Sequence, residues 1–482
     1  MTQVDLRITK ARLIDGTGGT SEPGGIAVKD GKIVALGDVS AYRAGREIDG
    51  TGLALAPGFI DVHTHDDRAL LSNPTMDCKV SQGVTSVVTG NCGVSLAPLS
   101  PSVRPPGPLD LLSADPADFF GDFGAYLDRL DSEPAATNAL CQVGHASLRV
   151  AAMADLDRPA DQGEIAAMRR SLETALEQGA IGLSTGLAYA PASAAPTSEI
   201  LALAGVMGQG RGLHSTHMRN EGEAITAALE ETFRIGREAG VPLVISHFKC
   251  SGRKSFGRSA ETLGLVEAAR QAQRVGVDVY PYHASSTILE ASYIEEAERV
   301  LVTWSESHPE QQGRDLADIA ADWGLDPLAA AERLQPAGAV YFAMDEADVQ
   351  RILAHPCSMI GSDGLPHDSH PHPRLWGTFP RVLGHYARDV GLFSLEEAVR
   401  KMTALPARTF GLTDRGTLAP GMAADLVLFD PAAVLDRASF EAPKQAAAGI
   451  AEVWVNGDSV WRDGAPTGAR PGRAIRRGSL TF

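Results

Sequence analysis

Short runs in which apolar and polar residues alternate occupy both ends of the chain, and apolar blocks separated by helical periodicity fill the middle. Near the start, Leu6-Arg-Ile-Thr-Lys-Ala-Arg-Leu-Ile and Gly25-Ile-Ala-Val-Lys-Asp-Gly31-Lys-Ile-Val-Ala-Leu-Gly37 predict strands, with Asp30-Gly31 as a hairpin turn. Near the end, Ala424-Asp-Leu-Val-Leu-Phe-Asp430 and Val453-Trp454-Val455 repeat that texture, and Asn456-Gly457 supplies another turn. Chain termini commonly meet at a surface, so residues 1–56 and 411–482 are expected to be two parts of one small β-sandwich.

Residues 57–410 repeat a strand followed by a helix. Strands are expected to begin near Pro57, Gly83, Asn138, Gly179, Gly212, Val241, Gly276 and Cys357. Between several of them, stretches such as Ala224-Ile-Thr-Ala-Ala-Leu-Glu-Glu-Thr-Phe carry the spacing of amphipathic helices. Eight such units predict an α/β fold, a (β/α)8 TIM-like barrel, with its chemistry at the C-terminal ends of the strands. The interval from about 288 to 350 is too long for one crossover helix. Asp315-Leu-Ala-Asp-Ile-Ala-Ala-Asp-Trp and Pro327-Leu-Ala-Ala-Ala-Glu-Arg-Leu predict a helical, lid-like insertion there, after strand seven.

A length of 482 residues suits one barrel with a smaller partner domain. The balance of 43 Lys+Arg against 60 Asp+Glu, a formal charge of -17, argues against nucleic acid or an anionic membrane as partner. A small-molecule substrate is the expectation, in a monomer or small homo-oligomer. The first ten residues are charged where a signal peptide would be apolar, and no apolar run reaches about 18 residues. A cytoplasmic location follows as an expectation, and five scattered cysteines agree with it as reduced thiols.

Candidate metal ligands fall at five of the predicted strand ends. His63 and His65 are two residues apart in an extended run, so both imidazoles face one side and can bind one ion. Cys92 in Gly90-Asn91-Cys92-Gly93, His217 after Ser215-Thr216, His247 after Ile245-Ser246 and Asp363 in Gly361-Ser362-Asp363-Gly364 complete the set. His214 is expected to be structural, and His145 either supports the site or packs. Asp67, completing His-x-His-x-Asp, is either an orienting carboxylate or a surface one. Lys249 lies two residues beyond His247 and so shares its strand face, while Arg374 offers a planar fork suited to a carboxylate and Tyr189 a hydroxyl.

Together with Pro57-Gly58 and Leu418-Ala-Pro-Gly421-Met-Ala-Ala-Asp425-Leu-Val, these residues resemble the amidohydrolase superfamily. Within it, Gly90-Asn-Cys92-Gly, Gly186-Leu-Ala-Tyr189, Thr216-His217-Met-Arg219, Ser246-His-Phe-Lys249, Tyr280-Pro-Tyr282 and Gly361-Ser-Asp363-Gly-Leu-Pro366, followed by His372-Pro-Arg374-Leu-Trp-Gly377, resemble the N-acyl-D-amino-acid deacylases. The resemblance spans essentially the whole chain. No lysine lies between Lys79 and Lys249, so the carboxylated lysine that bridges two metals in dihydroorotase- and hydantoinase-type enzymes has no candidate. A Cys92 thiolate can serve instead. The resemblance implies one tightly held zinc on Cys92, His217 and His247, and a second, weaker metal position on His63, His65 and Asp363. It implies that Lys249, Arg374 and Tyr189 hold the substrate's α-carboxylate; Ser286, in the segment after strand seven, is a further group able to hydrogen-bond the substrate. Asp363 would take a proton from water and return it to the departing amine.

Beyond strand seven, the segment Ser285 to Tyr293 holds no cation, and Arg299 is the first. Glu290 would repel a second carboxylate, whereas Ile288, Leu289 and Tyr293 suit an apolar group. The expected activity is therefore hydrolysis of N-acyl-D-amino acids with neutral or hydrophobic side chains. The alternatives are an N-acyl-D-glutamate deacylase, or another amidohydrolase acting on a cyclic amide or a deaminase. A non-enzymatic assembly protein would be free to lose Cys92, His217, His247 or Asp363, and all four are present.

Overall fold

The computed structural model describes residues 2–208 and 210–482. Eight parallel strand positions form the barrel: Phe59–Asp61, Val84–Thr89, Asn138–Cys141 continued by Val143–Gly144, Gly182–Gly186, Leu213–His217, Leu243–Ile245, Val275–Val279 and Ser358–Ile360. Each pairs in parallel with the next. The third is broken after Cys141, so its first half pairs with strand two and its second half with strand four. The ring closes where Thr64 bridges Gly364 and the Asp363 N–H donates to the His63 carbonyl at 2.8 Å.

Alternation along the strands sorts side chains by layer. Ile60, Val88, Leu140, Ile181, Val244 and Met359 share one buried cluster with Phe410 and Leu412, while Val87, Ile245, Val277 and Ile360 join the larger cluster formed with the helices. Each such side chain contributes about 1.5–3 kcal/mol by leaving water.

Strands from both termini share one nine-stranded sheet. Its seam is the antiparallel pairing of Ala54–Pro57 with Leu426–Phe429, over a core that includes Leu6, Ile8, Ile26, Leu55, Leu428 and Trp454. The hairpin turns sit at Asp30-Gly31 and Asn456-Gly457, where all four residues have positive φ (51°, 72°, 50° and 92°). A two-residue turn of type I′ requires that, and Asp-Gly and Asn-Gly tolerate it.

The insertion after strand seven differs from the helical expectation. It carries the expected helices, Leu316–Trp323 and Pro327–Leu334, but is organised on a three-stranded antiparallel sheet of Ala284–Ile288, Arg299–Ser305 and Ala337–Phe342, the last in the middle. Val300 opposite Tyr341 and Leu301 opposite Val340 supply β-branched and aromatic cross-strand pairs that favour it, while Val302 and Trp304 face the small residues Ala339 and Gly338. Leu289, Val302, Ile319, Leu334 and Tyr341 give the insertion its own core. No helix among the described residues is long and apolar enough to cross a membrane.

Candidate metal centre

Six side chains converge just past the C-terminal ends of the barrel strands. Two overlapping sets, His63, His65, Cys92 and Asp363, and Cys92, His217 and His247, each hold their donor atoms within 4.8 Å of one another. Cys92 Sγ lies 3.2 Å from His63 Nε2 and 3.3 Å from His247 Nε2. His247 Nε2 is 3.1 Å from His217 Nδ1, and Asp363 Oδ1 is 3.4 Å from His63 Nε2 and 3.2 Å from His65 Nε2. All six are buried. Sulfur, imidazole nitrogen and carboxylate oxygen facing one another in this way form a donor set that fits zinc.

The backbone is bent to aim these groups. Cys92, His247 and Asp363 have φ of 52°, 35° and 50°, a left-handed conformation that costs a side-chain-bearing residue about 1 kcal/mol or more and clusters at functional sites. The Cys92 turn also depends on its glycines. A Cβ on Gly90 would lie 2.2 Å from the Gln142 carbonyl oxygen, and one on Gly93 would lie 2.7 Å from the Gly186 nitrogen.

Burial alone would raise the Cys92 thiol, but the His63 and His247 imidazoles and hydrogen bonds from His217 and His247 outweigh it and hold the group well below its ordinary value. Burial likewise pushes Asp363 up, and Arg374 and His63 overcome it to keep the carboxyl well below the usual range. Thiolate and carboxylate are the forms a metal requires.

Two outer carboxylates were not singled out from the sequence. Asp278 lies 3.2 Å from His63 Nδ1 and accepts the His247 N–H at 2.7 Å. Glu221 lies 2.9 Å from His247 Nδ1 and 2.8 Å from Lys249 Nζ. Asp278 had a readable signal, a charge inside the apolar strand Val275–Val279 and in step with Tyr280. Glu221, in a loop, had none.

Beneath the site lies a buried ionic cluster. Lys79 Nζ donates to Asp61 Oδ2 and Ser362 Oγ, each at 2.8 Å, and pairs with Asp66 at 3.2 Å, with no exposed surface on any of the three charged side chains. Asp61 Oδ1 in turn accepts the Ser362 N–H at 2.8 Å, tying barrel strand one to the loop that carries Asp363. Lys79→Met strands two buried carboxylates and is expected to destabilise the protein by about 3–5 kcal/mol, read as a lowered urea midpoint. A shift below about 1 kcal/mol would show that the carboxylates do not need the ammonium.

A cleft open at its mouth reaches the donors. Lys249, Ser286 and Tyr189 line it, with Tyr189 Oη 3.1 Å from Thr287 Oγ1. Arg374 is fully buried behind the wall, with Nη1 2.9 Å from Asp363 Oδ2 and Nη2 donating to the Ser286 carbonyl at 3.0 Å. Tyr293 lines the cleft, whereas Leu289 turns into the insertion's core and Arg299 pairs with Asp315 at 2.6 Å. Asp67 is buried and accepts the Gly90 N–H at 3.3 Å, so it supports the Cys92 turn and is no surface carboxylate. His145 bonds Glu199 at 2.9 Å and His214 bonds Thr185 Oγ1 at 3.0 Å, both outside the donor sets.

A parallel barrel with zinc-type ligands at its strand ends defines a metal-dependent hydrolase of the amidohydrolase class. The Amidohydrolase family pattern matches residues 46–461. The chain is 55% identical over 473 residues, 98% of each chain, to the D-aminoacylase of Alcaligenes xylosoxydans xylosoxydans. It is 52% identical over 478 residues, 99% of this chain and 96% of the other, to the N-acyl-D-aspartate deacylase of the same organism. A crystal structure of N-acyl-D-glutamate deacylase from Bordetella bronchiseptica, complexed with zinc and a phosphonate mimic of the tetrahedral intermediate, superposes with a TM-score of 0.95 at 48% identity, covering 98% of this chain and 100% of that one. The chain belongs to the N-acyl-D-amino-acid deacylase family of the amidohydrolases.

Proposed function

We propose that the chain is a zinc-dependent N-acyl-D-amino-acid deacylase that releases a carboxylate and a free D-amino acid, and that it prefers neutral or hydrophobic side chains. The observation that carries this reading is a set of buried polar groups left unpartnered at the cleft and just behind its wall. Arg374 Nε, Ser286 Oγ and Tyr280 Oη are buried without a hydrogen-bond partner among the described residues. Arg374 and Lys249 flank the Tyr280 ring, 4.5 and 5.8 Å from its centroid. Buried donors left unmatched cost about 1–3 kcal/mol each. A substrate α-carboxylate would accept from them, the guanidinium offering Nε, since its Nη1 and Nη2 already face Asp363 and the Ser286 carbonyl.

Zinc held by Cys92, His217 and His247 would supply Lewis-acid polarisation of the acyl carbonyl and acidify water, with His63, His65 and Asp363 as a second, weaker position. Asp363 handles the proton. Its Oδ2 is tied to Arg374 Nη1 at 2.9 Å, so Oδ1 is the oxygen that accepts from the attacking water and then delivers to the amine. Tyr189 and Ser286 bound the space beside the carboxylate. With carboxylate and reacting carbonyl both fixed, the side chain has one direction left, which selects one enantiomer.

The preference among side chains rests on the wall. Val94, Pro108, Leu111, Leu365 and Tyr293 line the cleft, and Lys249, already paired with Glu221, is its only lysine or arginine among the described residues. A second carboxylate would meet no free cation there. N-acetyl-D-leucine and N-acetyl-D-methionine are expected to exceed N-acetyl-D-glutamate by about tenfold or more in kcat/KM. Turnover of L-enantiomers alone would defeat the stereochemical assignment, and a preference for glutamate would return the acidic alternative. Arg374→Met is expected to raise KM about tenfold or more and to lower kcat, since Asp363 loses its anchor. Hydrolysis of a cyclic amide that is indifferent to Arg374 would instead favour that class.

A further inference from the structure

Glu221 belongs to neither donor set, yet it touches three functional side chains. Oε1 lies 2.9 Å from His247 Nδ1, Oε2 lies 3.6 Å from His217 Nε2, and both oxygens accept from Lys249 Nζ at 2.8 Å. In each histidine the nitrogen facing Glu221 is the one turned away from the donor cluster, for His247 gathers there through Nε2 and His217 through Nδ1. A neutral imidazole that gives one lone pair to a cation carries its proton on the other nitrogen, and a carboxylate facing that nitrogen selects this arrangement. The two rings use opposite nitrogens, and one carboxylate between them serves both.

Lys249 Nζ also stands 2.7 Å from His247 Nδ1. Once that nitrogen carries a proton, the two are donors facing each other, and a shared acceptor is what lets them remain neighbours. Glu221 is held for this task. Its carbonyl accepts the Ser251 N–H at 2.7 Å, and Asn220 Oδ1 accepts the Gly222 and Ala224 N–H groups at 2.9 and 3.0 Å, which fixes the turn on either side of it.

We propose that Glu221 is a positioning residue that couples the Cys92, His217 and His247 metal position to Lys249: it turns the two imidazoles inward and sets the ammonium at the wall where the substrate carboxylate arrives. The lysine half rests on the deacylase reading, and the metal half does not.

The test compares Glu221→Gln, Lys249→Met and the double variant. Zinc affinity is measured by competition with a chromogenic chelator in the absence of substrate, and KM and kcat with N-acetyl-D-leucine at saturating zinc. Glu221→Gln is expected to weaken zinc binding about 10–100-fold and to change the absorption spectrum of the cobalt(II)-substituted protein, while Lys249→Met leaves zinc affinity close to the parent's. Both single variants raise KM, and the double variant raises it less than the product of the two, because each disturbs the same ammonium. Parent-like zinc affinity with an unchanged cobalt spectrum in Glu221→Gln would overturn the metal half, and fully multiplicative KM effects would overturn the coupling. Glu221→Asp keeps the charge but withdraws it by one methylene, so it should fall between parent and Gln. It provides the same test if the amide variant does not fold. If the parent hydrolyses no N-acyl-D-amino acid, the deacylase reading fails while the zinc comparison still decides the role of Glu221.

Discussion

Asp363→Asn is expected to lower kcat by about 10²–10⁴-fold with little change in KM, because an amide of the same shape cannot accept and return a proton. The neighbours of Asp363 define what is lost. One oxygen is anchored on Arg374 and the other faces His63 and His65, so Asn can keep the packing and forfeit only the chemistry. Zinc content should stay near one ion per chain, since Cys92, His217 and His247 remain. A variant that keeps kcat within about tenfold of the parent would mean that another group carries the proton.

Cys92→Ala should cost as much by another route. It removes the one donor common to both sets and leaves two imidazoles at the tight position, so zinc should be lost on dialysis. With it go several kcal/mol of transition-state stabilisation, or about 10³-fold or more in kcat/KM. Metal analysis and activity after chelator treatment check this together. A fully loaded, active Cys92→Ala protein would remove the thiol from the mechanism. Chelation and zinc return on the parent should abolish and restore activity.

The candidate ligands were legible because each falls at or just past the end of a predicted strand, where a polar residue needs a reason to be. His63, His65, Cys92, His217, His247 and Asp363 all share that property, and the structure brings all of them together. The hairpin turns at Asp30-Gly31 and Asn456-Gly457 were legible for a local reason, their demand for positive φ. What escaped was non-local. The insertion's two helices announce themselves within a few residues, but Val300 pairs with Tyr341 and Ala284 with Phe342, across distances over which periodicity says nothing. Lys249 stands beside His247, but both lie beyond the strand Leu243–Ile245 and His247 has a positive φ, so strand alternation does not place it, and its partner, Glu221, lies in a loop with no fixed direction. Leu289 was expected at the substrate and lies in the insertion's core, just past the end of the first strand of a sheet the sequence did not announce.

Arg374 grips the Asp363 carboxylate with one nitrogen and the backbone of the insertion's first strand with another. Appetite and turnover are thereby wired to a common post. Grafting a foreign insertion to change what the enzyme eats would tug on Asp363, the proposed proton carrier, unless the carbonyl at 286 returned to the same spot, so diversification here should proceed by exchanging side chains around a preserved main-chain anchor.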